Sequence, residues 1–264
     1  ALKIYKDIYG ENHSHYATVL NNLALCYFNN GDYEKAIIYN DQALKIYKIA
    51  FGESHPDYAK SINNKARYYI ELGYYQPAIE LLDQALTIQK SLLGENNPAY
   101  ATYLNNVAVY YRMMGDNSRA ISLLKGVLEL KKAILGESHI DYALSLNNLS
   151  VCYTAIGNYS ESIKLSNQAA SIYKSILGDK NPNYATTINN LAETHLKLGD
   201  YRAAIKLHTF ALEIREMMLG KMHSETAMSL LNLAGCYYAL EDYHTAIEFY
   251  NKALSIWRKT FNDQ

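Results

Sequence analysis

Sliding the chain against itself by 42 residues places Ala1-Leu2-Lys3-Ile4-Tyr5-Lys6 on Ala43-Leu44-Lys45-Ile46-Tyr47-Lys48, and the same frame recurs from Ala85, Val127, Ala169, Ala211 and Ala253 without an insertion or deletion. A fixed period of this size marks a repeat array, in which each unit is one supersecondary element that cannot bury its apolar face alone. The 264 residues divide into six full units starting near 11, 53, 95, 137, 179 and 221, after a partial leading helix at 1–10. The expectation is one repeat domain over 1–264.

Two phases of this frame hold eleven of the 13 glycines: Gly10, Gly52, Gly94, Gly136, Gly178 and Gly220 at one, Gly31, Gly73, Gly115, Gly157 and Gly199 at the other. Glycine reaches positive φ at no steric cost and suits the residue just past a helix end. Two stops per unit therefore predict two helices per unit. The first helix begins after a polar loop such as Gly52-Glu53-Ser54-His55-Pro56-Asp57, with proline in a first turn whose N–H groups have no intrahelical partner, and runs to about Asn30, Leu72 and their equivalents. Counting 100° per residue puts Ala17, Leu20, Ala24 and Tyr27 on one buried stripe. The second helix carries Ile37, Ile79, Ile121, Ile163, Ile205 and Ile247 at one phase, with alanines such as Ala36 and Ala43 allowing close approach. Stacking such pairs buries both stripes, which predicts an all-α fold, an α-solenoid of six helix pairs plus the leading helix and a C-terminal helix end.

The signature Leu20-Asn21-Asn22-Leu23-Ala24-x-x-Tyr27, then Gly31-Asp32-Tyr33, then Ala36 and Ala43, resembles the tetratricopeptide repeat. The 42-residue spacing, the Leu-Gly-Glu-Ser-His loop at 135–139 and the Leu-Asn-Asn-Leu-Ala run at 20–24 look specifically like the repeats of kinesin light chains. The resemblance implies a right-handed superhelix whose concave face, made by first helices, binds short cargo peptides. It also implies that Asn at the second phase of the Asn-Asn pair contacts the peptide backbone, and that acidic peptides with an aromatic anchor are favoured.

Residues opposite the stripe point the same way. On the first helix these are Thr18, Asn22, Leu25 and Asn29, and one phase is asparagine in every unit: Asn22, Asn64, Asn106, Asn148, Asn190 and Asn232. Asparagine costs roughly 0.5 kcal/mol against Ala at an interior helical site. A carboxamide offers a donor and an acceptor side by side, matching the N–H and C=O of an extended peptide. With neighbouring repeats about 10 Å apart and a strand rising about 3.3 Å per residue, each clamp serves about three ligand residues. The other reading is that these asparagines bond one another and order the stack. For the preceding Asn21, Asn63, Asn105, Asn147 and Asn189 the inter-repeat role is preferred. Lys60, Arg67 and Arg112 make the N-terminal half of the face basic, Glu71 and Glu193 interrupt it, and Lys197 stands alone. An acidic ligand should therefore prefer units two and three, although a plain solvated face is also open. Phe28, Ile70, Leu196 and Tyr238 share a neighbouring phase and are read as inter-helix packing, with anchor pockets as the alternative.

Balanced charge, Lys+Arg 25 against Asp+Glu 26, provides no field for nucleic acid or an anionic membrane. No apolar stretch approaches the roughly 18 to 20 residues of a membrane span. Three cysteines without a CxxC pair argue against disulfides or a zinc knuckle and fit a reducing, cytoplasmic setting. Cys26, Cys152 and Cys236 read as packed thiols. Tyr27, Tyr69, Tyr111, Tyr153 and Tyr237, with Tyr33, Tyr75, Tyr159, Tyr201 and Tyr243, read as repeat-defining core. His13, His55, His139 and His223 occupy one loop phase, where Asn97 and Asn181 substitute, which suits a helix cap better than a metal ligand. His195 replaces a repeat tyrosine and should have a partner. Lys65 stands where other units bury Leu or Val, and Glu241 replaces an inter-helix glycine. No catalytic or nucleotide-binding string occurs, so no enzyme activity, metal or cofactor is expected.

The first reading is thus a non-enzymatic adaptor binding an extended, acidic, apolar-anchored segment of a partner protein. The competitors are a regulatory or autoinhibitory arm of a larger enzyme or signalling protein, and an architectural spacer, natural or engineered. Uncapped terminal repeats predict end-to-end self-association.

Overall fold

The computed structural model describes residues 2–262; Ala1, Asp263 and Gln264, part of the expected domain, lie outside them. Among the described residues there are thirteen α-helices and no strand. In chain order these are α1 (Leu2–Tyr9), α2 (Ser14–Asn29), α3 (Tyr33–Phe51), α4 (Pro56–Glu71), α5 (Tyr75–Leu93), α6 (Pro98–Met113), α7 (Asn117–Leu135), α8 (Ile140–Ala155), α9 (Tyr159–Leu177), α10 (Pro182–Leu198), α11 (Tyr201–Leu219), α12 (Ser224–Ala239) and α13 (Tyr243–Asn262). Even-numbered helices are the first of each repeat, odd-numbered ones the second. They form two compact units, residues 1–120 and 121–264, the division falling inside α7.

Each boundary has a local cause. The eleven glycines of the two repeat phases all have positive φ, and Glu241 takes the same left-handed conformation at φ 63°. At the other end, the loop-phase residue caps every first helix. The N–H of His15 donates to His13 Nδ1 (3.2 Å), and the same bond recurs at His55, His139 and His223, and to Oδ1 of Asn97 and Asn181. An imidazole accepts this bond only through an unprotonated Nδ1, the same chemistry as an asparagine oxygen.

Helices approach closely because the buried positions are small. Ala17, Ala59, Ala101, Ala143, Ala185 and Ala227 are all fully buried, as are Ala43, Ala85, Val127, Ala169 and Ala211. Two expectations about the core need correction. Ala36, Ala78, Ala120, Ser162 and Ala204 are the buried centre of the second helix, whereas the isoleucine one position later is half-buried, and Ile247 is 58% exposed. The best-buried repeating tyrosines are Tyr16, Tyr58, Tyr100, Tyr142 and Tyr184 near the start of each first helix. Of the ten expected, Tyr111 is buried, most are half-buried, and Tyr75 and Tyr243 are exposed. Cys152 and Cys236 are packed thiols, burial pushing Cys236 up to about 11, but Cys26 is exposed.

In the pairs α2–α3, α4–α5, α8–α9, α10–α11 and α12–α13 the two helices pack antiparallel, and within a unit the second helix packs on the next first helix, as α3 does on α4 and α9 on α10. Consecutive first helices also touch within a unit, α2 with α4 and α4 with α6, α8 with α10 and α10 with α12, whereas α3 and α5, or α9, α11 and α13, do not. First helices therefore line the tighter side of each unit. This is α-solenoid packing.

Candidate peptide-binding face

The open face of each first helix is where the spacing placed it. Thr18, Asn22, Leu25 and Asn29 are all exposed. Along the asparagine row, Asn22 and Asn106 are exposed while Asn64, Asn148, Asn190 and Asn232 are half-buried. The difference has a bonding cause in three of them. Asn64 Nδ2 donates to Asn21 Oδ1 (3.3 Å), Asn190 Nδ2 to Asn147 Oδ1 (3.2 Å) and Asn232 Nδ2 to Asn189 Oδ1 (2.9 Å). The acceptor is the first asparagine of the preceding repeat's Asn-Asn pair, so Asn21, Asn147 and Asn189 have the inter-repeat role preferred from their angular position, whereas Asn63 Oδ1 does not. A carboxamide has two donor hydrogens and an acceptor oxygen, so this bond engages one of three functions and leaves an N–H and Oδ1 for other partners.

The acceptor oxygen is a hub. Asn21 Oδ1 also receives Asn40 Nδ2 from α3 (3.0 Å) and Ser61 Oγ from α4 (3.3 Å). In the fifth repeat His208 occupies the Asn40 position, its Nδ1 lying 3.1 Å from Asn189 Oδ1. That oxygen can only accept, so Nδ1 carries the proton and Nε2 is a buried lone pair without a partner. Burial, and secondarily the charge of Arg215, hold His208 down to about 4.

The seam from repeat 2 to repeat 3 is built differently. Asn63 Oδ1, Tyr68 OH and Tyr103 OH are buried without partners. Burial pushes Tyr68 up to about 12 and also raises Tyr110, opposed there by the Arg67 charge and a hydrogen bond from Asn63.

The three expected cations are all available. Arg67 lies over Phe28, its Cζ 4.2 Å from the ring centroid, and is half-buried. Lys60 is exposed and Arg112 half-buried. Among the described residues none of the three forms an ion pair, although Lys35, Lys48, Lys65, Lys90, Lys132 and Arg119 all do. Lys197, expected to stand alone, is instead 3.3 Å from Glu193 one turn earlier. Lys65 reaches Asp41 at 2.6 Å, which explains a lysine at a core phase. His195, expected to have a partner, has Nδ1 3.4 Å from an Asp200 carboxylate oxygen, an ion pair only when the imidazole is protonated, and that nitrogen makes no hydrogen bond. Phe28 and Ile70 are buried, as the packing reading requires, and Leu196 is half-buried, but Tyr238 is 60% exposed. Sequence reasoning missed Leu144 and Met228, exposed apolar residues on this face at the Thr18 phase; their 42-residue register was the available signal.

Antiparallel helix pairs stacked with first helices on the tighter side define a helical-repeat protein of the kind that serves protein–protein interaction. The tetratricopeptide repeat profile matches residues 1–49, 15–91, 57–133, 101–175, 141–217 and 225–264, and the chain belongs to that family. Among solved structures it is similar to the nearly identical TPR-like repeats of a protein of Podosopora anserina described as a kinesin light chain, at 25% identity over 78% of this chain and 97% of that one (TM-score 0.65). BtubC (BKLC) from P. vanneervenii shares the fold at 20% identity over 88% and 93% (TM-score 0.70). A Rap protein complexed with competence and sporulation factor does so at 16% identity over 100% and 80% (TM-score 0.61). No curated protein sequence matches significantly. No helix among the described residues is long and apolar enough to cross a membrane.

Proposed function

We propose that the chain is a non-enzymatic adaptor that holds an extended segment of a protein partner along the first-helix face, the row Asn22, Asn64, Asn106, Asn148, Asn190 and Asn232 meeting its main chain. The observation that carries this reading is that Asn64, Asn190 and Asn232 are held half-buried on that face by one bond each, with a donor and an acceptor to spare. Unpaired Lys60, Arg67 and Arg112 favour an acidic segment at repeats 2 and 3, and exposed Leu144, Met228 and Tyr238 favour apolar side chains in it.

The test is selection from a random peptide library by the wild-type chain, followed by titration of recovered peptides on the Asn64→Ala, Asn190→Ala and Asn232→Ala triple variant. At about 1 kcal/mol per bond the triple variant should bind roughly a hundred-fold more weakly; unchanged affinity contradicts the clamp. The spacer reading draws support from the same inter-repeat bonds, and it expects no peptide to be recovered. Self-association is a further part of the proposal, supported by exposed Ile4 and Ile8 on α1 and Leu254 on α13. Sedimentation showing a monomer across a concentration series would count against it.

A further inference from the structure

We propose that Asn21 in unit 1, with Asn147 and Asn189 in unit 2, are positioning residues for this row. Each fixes the clamp carboxamide of the following repeat without meeting the peptide itself. The inference rests on the peptide-clamp reading and assigns a role to residues outside it.

An asparagine χ2 is broad and roughly two-fold, so an unrestrained carboxamide rotates and exchanges its donor and acceptor ends. The bond from Asn64 Nδ2 to Asn21 Oδ1 removes that freedom: the nitrogen is tied to the preceding repeat and the oxygen is left for the open face. The same bond orients Asn190 and Asn232. A side chain ordered before binding loses less freedom on binding, which raises affinity without any new contact. Asn21 is suited to the task because it is itself immobilised, buried and held by Asn40 and Ser61.

Unit 1 contains its own control. The residue that would orient Asn106 is Asn63, 43 positions earlier as Asn21 is to Asn64, yet Asn63 Oδ1 has no partner and Asn106 is exposed. Two donors that surround Asn21 are missing there. Leu82 stands where α3 has Asn40, and Tyr103 where α4 has Ser61. Asn64 is therefore an ordered clamp and Asn106 a rotating one.

Peptides recovered by the wild-type chain in the library selection, fluorescently labelled, are titrated on the full chain and on four variants. Asn64→Ala removes a clamp. Asn21→Ala removes the oxygen that orients it, and Asn21→Asp keeps that oxygen. Asn40→Leu removes a donor to the hub while leaving the Asn64 bond in place, with a side chain native to this phase at Leu82 and Leu124. Asn21→Ala should weaken binding about ten-fold, whereas Asn21→Asp and Asn40→Leu should stay within about two-fold, a split that general loosening of the seam does not produce. Loss on Asn64→Ala with none on Asn21→Ala overturns the positioning role and leaves the clamp standing. No effect from either overturns both, as does recovery of no peptide. Should Asn21→Ala not fold, side-chain amide exchange by NMR on the wild type decides: Asn64 exchanging more slowly than Asn106 supports the inference, equal rates overturn it.

Discussion

Where repeat 1 meets repeat 2, Asn21 Oδ1 accepts hydrogen bonds from Asn40, Ser61 and Asn64; where repeat 2 meets repeat 3, the same atom of Asn63 accepts none, and Tyr68 and Tyr103 add two more buried hydroxyls without partners. Both seams contain the same Asn-Asn pair on a first helix of the same length. What separates them lies 19 and 40 positions further along the chain, Asn40 against Leu82 and Ser61 against Tyr103. A repeat motif therefore specifies that a carboxamide is displayed, while its neighbours decide whether it is held. The second seam also carries Arg67, one of the three unpaired cations, whose charge opposes the burial-raised pKa of Tyr68 and Tyr110.

The largest expected effect comes from the hub in which histidine replaces Asn40. His208 stays neutral in the fold down to about pH 4, whereas in the unfolded chain it protonates near 6.5. The unfolded chain binds more protons between these values, so the stabilisation is fully present above pH 6.5 and is lost as pH falls towards 4, on the order of 3 kcal/mol. Denaturation midpoints of unit 2 across that window should show it, and His208→Asn, which restores the residue of repeat 1, should flatten the profile. Next in size, Asn21→Ala strands three donors and should cost about 2 kcal/mol, whereas Asn63→Ala removes an oxygen already unpartnered and should cost under about 1 kcal/mol. Equal losses in urea titrations would erase the contrast between the seams. Glu241→Gly, which makes the last inter-helix turn like the others, should raise stability by about 1 kcal/mol because a non-glycine residue strains at φ 63°. Smallest is Asn40→Leu, which discards a buried oxygen without a partner together with one donor to the hub, for a net change within about 0.5 kcal/mol.

Much of this was legible from periodicity. The 42-residue frame located both helices of every repeat, the glycines their ends, and the His13 and Asn97 phase their caps, because each of these depends on neighbours a few residues away. Helical phase likewise puts the asparagine row away from the buried stripe, exposed or half-buried in every repeat. Its partners were not legible: helical phase assigns a residue to a direction but does not say which side chain from another helix arrives there, so the Asn21 hub and its absence at Asn63 required coordinates. The tyrosine and isoleucine assignments failed for a different reason. Size is a poor guide to burial here, because these helices pack so closely that alanine occupies the centre and Ile37 or Tyr27 the margin.

The most direct test of the central claim is a side-chain amide NMR titration of the wild-type chain with a selected peptide. The account expects the carboxamide resonances of Asn64, Asn190 and Asn232 to move together and saturate at one affinity. Binding that leaves all three in place would contradict it.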